Sequence, residues 1–84
     1  MPYVMKDRRE ILDKNNSPLS AGELNYLITK MCIKFIKTHE LSYQILNDVI
    51  GALEGAKLEF YRRTVAPYEN TKIRGNGDVY PEEF

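Results

Sequence analysis

The longest helical pattern, which runs from Ser42 to Pro67, most constrains what this chain can fold into. Its apolar residues recur at positions 46, 49, 50, 53, 56, 60 and 61, the three-and-four spacing of one helix face. Ser42 is placed to accept an unpaired N–H of the first turn. Pro67 lacks an N–H and biases Ala66 away from helical angles, so the helix is predicted to stop or kink there.

The opposite face of this helix combines small and charged residues. On a wheel of about 100° per residue, this glycine face consists of Asp48, Gly51, Ala52, Gly55, Glu59 and Arg62. Each glycine inside a helix costs about 1 kcal/mol relative to alanine, and small residues four apart let another backbone come close. We therefore predict an oligomer interface on this face, with a close crossing near Gly55 by a second copy. The alternatives are that an earlier helix of the same chain packs there, or that the glycines face water.

Two further helices are predicted before the central one. Lys6–Lys14 forms about two turns, with Ile11 and Leu12 facing the core. Ser20 and Glu23 form a capping box that opens a second helix, which runs to about Thr38. Its apolar stripe consists of Leu24, Leu27, Ile28, Met31, Phe35 and Ile36. Because the connection that follows is short, the two longer helices are predicted to be antiparallel neighbours.

The stretch after Pro67 is open to more than one interpretation. Residues 68–75 can continue as a helix that begins at Pro67 and is capped by Gly75. Asn76-Gly77 is a hairpin signal, but its flanks are too short for two strands. Residues 78–84 are predicted to be an extended acidic tail. The expected fold is thus a single all-α domain over residues 1–84, with a short N-terminal helix, two longer antiparallel helices and a short C-terminal helix or irregular tail.

Length and charge exclude several classes of protein. A chain of 84 residues buries only about 60–65% of its unfolded surface, so it gains from an oligomeric partner. Twelve basic residues balance twelve acidic ones, and this balance argues against nucleic acid and anionic membranes as partners. The single cysteine excludes an internal disulfide and fits a reducing cytoplasm. The sequence shows no signal peptide and no apolar run long enough to span a membrane.

No catalytic, metal or cofactor motif is visible, so we expect a protein that is not an enzyme. Cys32 and the only histidine, His39, cannot make a zinc site by themselves. The one candidate ligand cluster consists of Lys57, Tyr61, Arg62 and Arg63, which could grip a small anion or nucleotide. The competing interpretation is that Lys57 lies along apolar neighbours and that Glu59 pairs with Arg63 four residues later.

Four blocks of the sequence resemble a small uncharacterised family of short proteins found in bacteria and their phages. The blocks are GELNYLITK at 22–30, LSYQILNDVIGALEGAKLEFYRR at 41–63, APYE at 66–69 and NGDVY at 76–80. The resemblance implies a cytoplasmic, phage- or prophage-associated context and no activity. We predict a non-enzymatic interaction module that works as a homo-oligomer, with a dimer favoured. The alternative is a binder of a small anionic ligand or nucleotide.

Overall fold

The computed structural model describes residues 4–84, and these residues form helices but no strands. The elements are α1 (Lys6–Asn15), α2 (Ala21–Thr38), α3 (Tyr43–Phe60), a π-helical turn (Tyr61–Val65) and α4 (Ala66–Asn76). The prediction of an all-α fold with a short first helix and two longer ones is therefore confirmed. Within the described part of the chain, no helix is both long and apolar enough to cross a bilayer. The chain divides into two compact units, with the boundary in the sequence after Val49: the first ends at Val49 and the second is Ile50–Phe84.

Both predicted serine caps are present. The Ser20 hydroxyl accepts the N–H of Glu23 at 3.1 Å, and the Ser42 hydroxyl accepts the N–H of Ile45 at 3.1 Å. The second bond of the predicted capping box, from the Ser20 N–H to the Glu23 carboxylate, is wrong, because that carboxylate accepts hydrogen bonds from other donors. It accepts the Leu19 N–H at 2.9 Å and two bonds from the Arg8 guanidinium. A guanidinium is a stronger partner for a carboxylate than a neutral backbone amide.

The packing of α1 on α2 creates the only buried hydrophobic side chains in residues 4–84. Leu12 of α1 is fully buried, and Tyr26 of α2 is 8% exposed. The prediction that Ile11 also faces the core is wrong, since its side chain is 46% exposed. Adjacent residues of a helix point about 100° apart, so a helix of ten residues that meets one neighbour buries Leu12 and leaves Ile11 outside.

The helix that begins at α3 does not stop before Pro67, so of the predicted stop or kink the stop is wrong. Phe60, Val65 and Ala66 all have right-handed helical angles, and the Ala66 N–H donates to the Tyr61 carbonyl five residues earlier. A proline ring normally crowds the carbonyl four residues before it. The π-helical turn shifts the hydrogen bonding by one residue just ahead of the proline, which then lies in the first turn of α4.

Residues 68–75 are therefore helical, but the predicted cap at Gly75 is wrong. The helix passes through Gly75 and ends at Gly77, whose φ of 86° requires glycine and whose N–H donates to the Ile73 carbonyl at 2.8 Å. The segment that follows is irregular rather than fully extended. The Tyr80 N–H donates to the Asp78 carboxylate, and the Phe84 N–H donates to the Pro81 carbonyl, so the backbone turns twice.

Candidate interaction surface

The apolar stripe of α3 is exposed along its length. The α3 stripe consists of Leu46, Val49, Ile50, Leu53, Ala56 and Phe60. Leu53 is 39% exposed and Phe60 is 62% exposed, while Val49 is half-buried. None of the eighteen residues of α3 is buried. An amphipathic helix of a folded protein turns such a stripe towards a core, so this stripe has the character of a contact surface that is left open.

The glycine face on the other side of α3 is also open. A Cβ atom built on Gly51 or Gly55 meets no heavy atom within 4 Å. Asp48 accepts a hydrogen bond from the Gln44 side chain at 2.8 Å, one turn earlier on the same helix. The space beside the two glycines is therefore open, and the oligomer interface on this face stays a prediction.

Three charged side chains at the end of α3 form one cluster. Arg62 donates to both oxygens of the Glu59 carboxylate at 3.1 and 3.0 Å, and Arg63 donates to Oε1 at 3.3 Å. The pairing of Glu59 with Arg63, which the sequence suggested as the competing interpretation of the arginines, is thus observed. All three side chains are more than half exposed, so such pairs contribute little to stability. Because Glu59 already binds both guanidinium groups, their positive charge is partly neutralised and they are weaker binding groups for an added anion.

The other two residues of the predicted ligand cluster have separate partners. The Lys57 Nζ atom lies 3.8 Å from Glu54 Oε1, and both side chains are more than half exposed. The Tyr61 hydroxyl donates to Glu69 at 2.7 Å, which ties the π-helical turn to α4 and raises the pKa of Tyr61. The structure thus brings Arg62 and Arg63 together at Glu59 but does not place Lys57 and Tyr61 on the same carboxylate.

A second charged feature, which no sequence pattern indicates, joins α1 to α2. Arg8 binds Glu23 through two bonds, Nε to Oε2 at 2.8 Å and Nη2 to Oε1 at 3.0 Å. The bond from Arg8, followed by the bond from the Leu19 N–H, holds the pKa of Glu23 below its ordinary value. The two residues are fifteen apart, and no spacing rule connects them. Their role in the structure is to fix α1 on α2.

Within the described residues, no three His, Cys, Asp or Glu side chains lie close enough together to hold a metal ion. Comparison with curated proteins found no match, and comparison with solved structures found none either. A comparison with family models did find one: residues 1–79 match a domain of unknown function. This match covers α1 to α4, and it agrees with the resemblance that the sequence blocks showed. The chain belongs to the family described as Domain of unknown function (DUF6899).

Proposed function

We propose that this protein is a non-enzymatic helical module that associates with itself, as a dimer in the simplest case, through α3. The observation that carries the proposal is the open α3 stripe. Leucine, isoleucine and phenylalanine side chains each gain about 1.5–3 kcal/mol when they are fully buried. On α3 these side chains recur on one face of the helix and remain in contact with solvent.

The small core of the chain supports the same proposal. Residues 4–84 bury only Leu12 and Tyr26 among their hydrophobic side chains. Domains of this size are marginal even with a complete core, and they commonly gain stability by forming oligomers. The α2 stripe adds to the open apolar surface, since Leu24, Ile28 and Met31 are also exposed. A second copy would supply apolar partners of the same kind, because it presents the same stripes.

A pair of matched lysine substitutions tests the α3 stripe. Leu53→Lys places a charge on the stripe, and Leu58→Lys places the same charge on the same helix but away from the stripe. Both positions are exposed in the single chain, at 39% and 58%, so neither substitution disturbs a core. We expect Leu53→Lys to raise the dissociation constant at least about tenfold in sedimentation equilibrium, and Leu58→Lys to leave it near the wild-type value.

A wild-type chain that sediments as a monomer at high micromolar concentration would contradict the proposal. Equal association of wild type, Leu53→Lys and Leu58→Lys would show that association does not depend on the α3 stripe.

The glycine face, which consists of Asp48, Gly51, Ala52, Gly55, Glu59 and Arg62, remains a second proposal for the oligomer interface. Gly55→Leu tests it, and Gly75→Leu in α4 is the matched control. A Cβ at either glycine meets open space in the single chain, so loss of association in Gly55→Leu alone must come from a partner helix. If Gly55→Leu sediments as the wild type does, the glycine face is not the contact.

The alternative proposal, binding of a small anion or nucleotide through Lys57, Tyr61, Arg62 and Arg63, has weaker geometric support. Glu54, Glu59 and Glu69 already occupy these donors. A ligand that binds only the folded state would raise the melting temperature. We expect no shift with inorganic phosphate or a nucleotide panel, and a shift that Arg63→Gln abolishes would favour the ligand binder.

For the setting of this module we propose the cytoplasm of a bacterium that carries a phage or prophage. The resemblance of the four sequence blocks and the single cysteine support this setting. The neighbouring genes test this proposal. Phage structural or lysogeny genes beside this one would support it, and a neighbourhood without phage genes would contradict it.

A further inference from the structure

A groove with basic and apolar walls lies along α2 in the first unit. Its volume is about 480 Å³. Lys30, Lys34 and Lys37 line it at intervals of four and three residues, which places them on one face of the helix. Leu27, Met31 and Ile33 line it as well. The groove therefore offers positive charge and apolar surface together.

The three lysines of the groove form no ion pair in the described part of the chain. None of the three lysines lies within 4 Å of a carboxylate of residues 4–84. The ion pairs of these residues involve other cations: Arg8, Lys57, Arg62 and Arg63. The one acidic residue in the lining is Asp13, and the Tyr26 hydroxyl donates to it at 2.9 Å. An occupant of the groove should therefore be acidic, and it should carry apolar side chains.

Residues 78–84 have this chemistry. The segment reads DVYPEEF, and Glu82 and Glu83 form no ion pair with any described residue. Its apolar side chains are among the most exposed in the chain: Val79 is 92% exposed and Phe84 is 90% exposed. The lysines of α2 extend over about 10 Å at 1.5 Å per residue, and a segment of seven residues is long enough to follow them.

We propose that the α2 groove of one copy binds the segment Asp78–Phe84 of a second copy. Glu82 and Glu83 approach the lysines, and Val79 or Phe84 contacts the apolar wall. The proposal rests on the self-association proposed above and adds a second contact to the same assembly. Surface ion pairs contribute little one at a time, so affinity comes from the apolar anchors, and the charges select the partner and its orientation.

A labelled peptide with the sequence DVYPEEF tests the groove directly. The receptor is the full chain with Glu82→Lys and Glu83→Lys, so that its own segment does not compete. We expect saturable binding in fluorescence anisotropy, weakened at least about tenfold when Lys30→Glu and Lys34→Glu are added. The matched control adds Lys6→Glu and Lys57→Glu, which change the charge equally outside the groove and should leave binding intact.

A charge exchange in the full chain tests whether the contact joins two copies. Glu82→Lys with Glu83→Lys should weaken sedimenting assembly, and adding Lys30→Glu with Lys34→Glu should restore it. Glu10→Lys with Glu40→Lys, the matched control, should assemble as the wild type does. Leu53→Lys should weaken assembly and still leave peptide binding unchanged, which separates failure of the α3 contact from failure of the groove.

Several outcomes would overturn the proposal. The groove is not the site if no receptor binds the peptide, if all receptors bind it equally, or if the charge-reversed peptide DVYPKKF binds as well. Peptide binding without any change in sedimentation would assign the segment to the groove of its own chain. Binding of phosphatidylserine vesicles that needs Lys30 and Lys34, with no peptide binding, would assign the groove to a lipid surface.

Discussion

Residues 4–49 are held by side chains that meet across two helices, whereas residues 50–84 are held by bonds along one helical path. In the first unit, Arg8 reaches Glu23 and Tyr26 reaches Asp13, pairs that are fifteen and thirteen residues apart. In the second, Glu59 pairs with Arg62 three residues later, and Tyr61 reaches Glu69 eight residues later. The first unit contains the buried Leu12, while the described structure buries no side chain of the second.

The difference shows where the chain depends on a partner. Isolated helices are marginal in water, and most helical stability in proteins comes from packing of an apolar face. The first unit has such packing within the chain, although it is small. The second unit has the apolar face on α3 without the packing, so the comparison predicts that assembly stabilises residues 50–84 more than residues 4–49.

The largest expected effect is on the buried side chain of the first unit. Leu12→Ala should lower the free energy of unfolding by about 2–5 kcal/mol, since it removes a buried side chain and leaves a cavity. Ile11→Ala is the matched control on the same helix, and it should cost much less because Ile11 is exposed. Urea unfolding followed by circular dichroism measures both. Equal effects would mean that α1 does not pack through Leu12, and the comparison would fail.

A smaller effect is expected from the ion pair between α1 and α2. Because Arg8 and Leu19 lower the pKa of Glu23, the carboxylate stabilises the fold fully above its unfolded pKa and loses this contribution as the pH falls through the folded value. The urea midpoint should therefore drop on acidification, and Glu23→Gln should reduce that drop. Arg8→Met should reduce it too, since it removes the largest cause of the shift. An unchanged profile in both variants would show that the pair does not hold α1.

The smallest effect is expected at the π-helical turn. Tyr61→Phe removes the bond to Glu69 but keeps the ring, and the contact is exposed and joins residues about two turns apart on one helical path. Helix content at 222 nm should therefore stay close to that of the wild type, and the phenolate titration of the protein should lose the tyrosine whose pKa the hydrogen bond raises. A large loss of helix content would show that this bond supports tertiary structure. Residues 50–84 would then be stabilised by side-chain contacts of their own and not only by bonds along the helix.

Local signals were the predictable part of the fold. The serine hydroxyls of Ser20 and Ser42 cap their helices as expected, because a cap depends on atoms within three residues. The pairing of Glu59 with Arg63 also follows from spacing alone. The failures at Pro67 and Gly75 are of another kind. A proline can follow the end of a helix or lie in its first turn, and a glycine can end a helix or lie within it. Here the π-helical turn lets the helical path continue through Pro67 and Gly75, and the helix ends at Gly77.

Side-chain periodicity and capping are enough to predict that this chain is helical, where its first three helices begin, and that α3 has one apolar face and one small face. These patterns act over a few residues. Three outcomes could be read only from the folded chain: Glu23 binds Arg8 instead of closing the capping box, Leu12 is buried while Ile11 is not, and the side chains of both α3 faces are exposed. These outcomes depend on which residues distant in the sequence meet, and no local pattern records that.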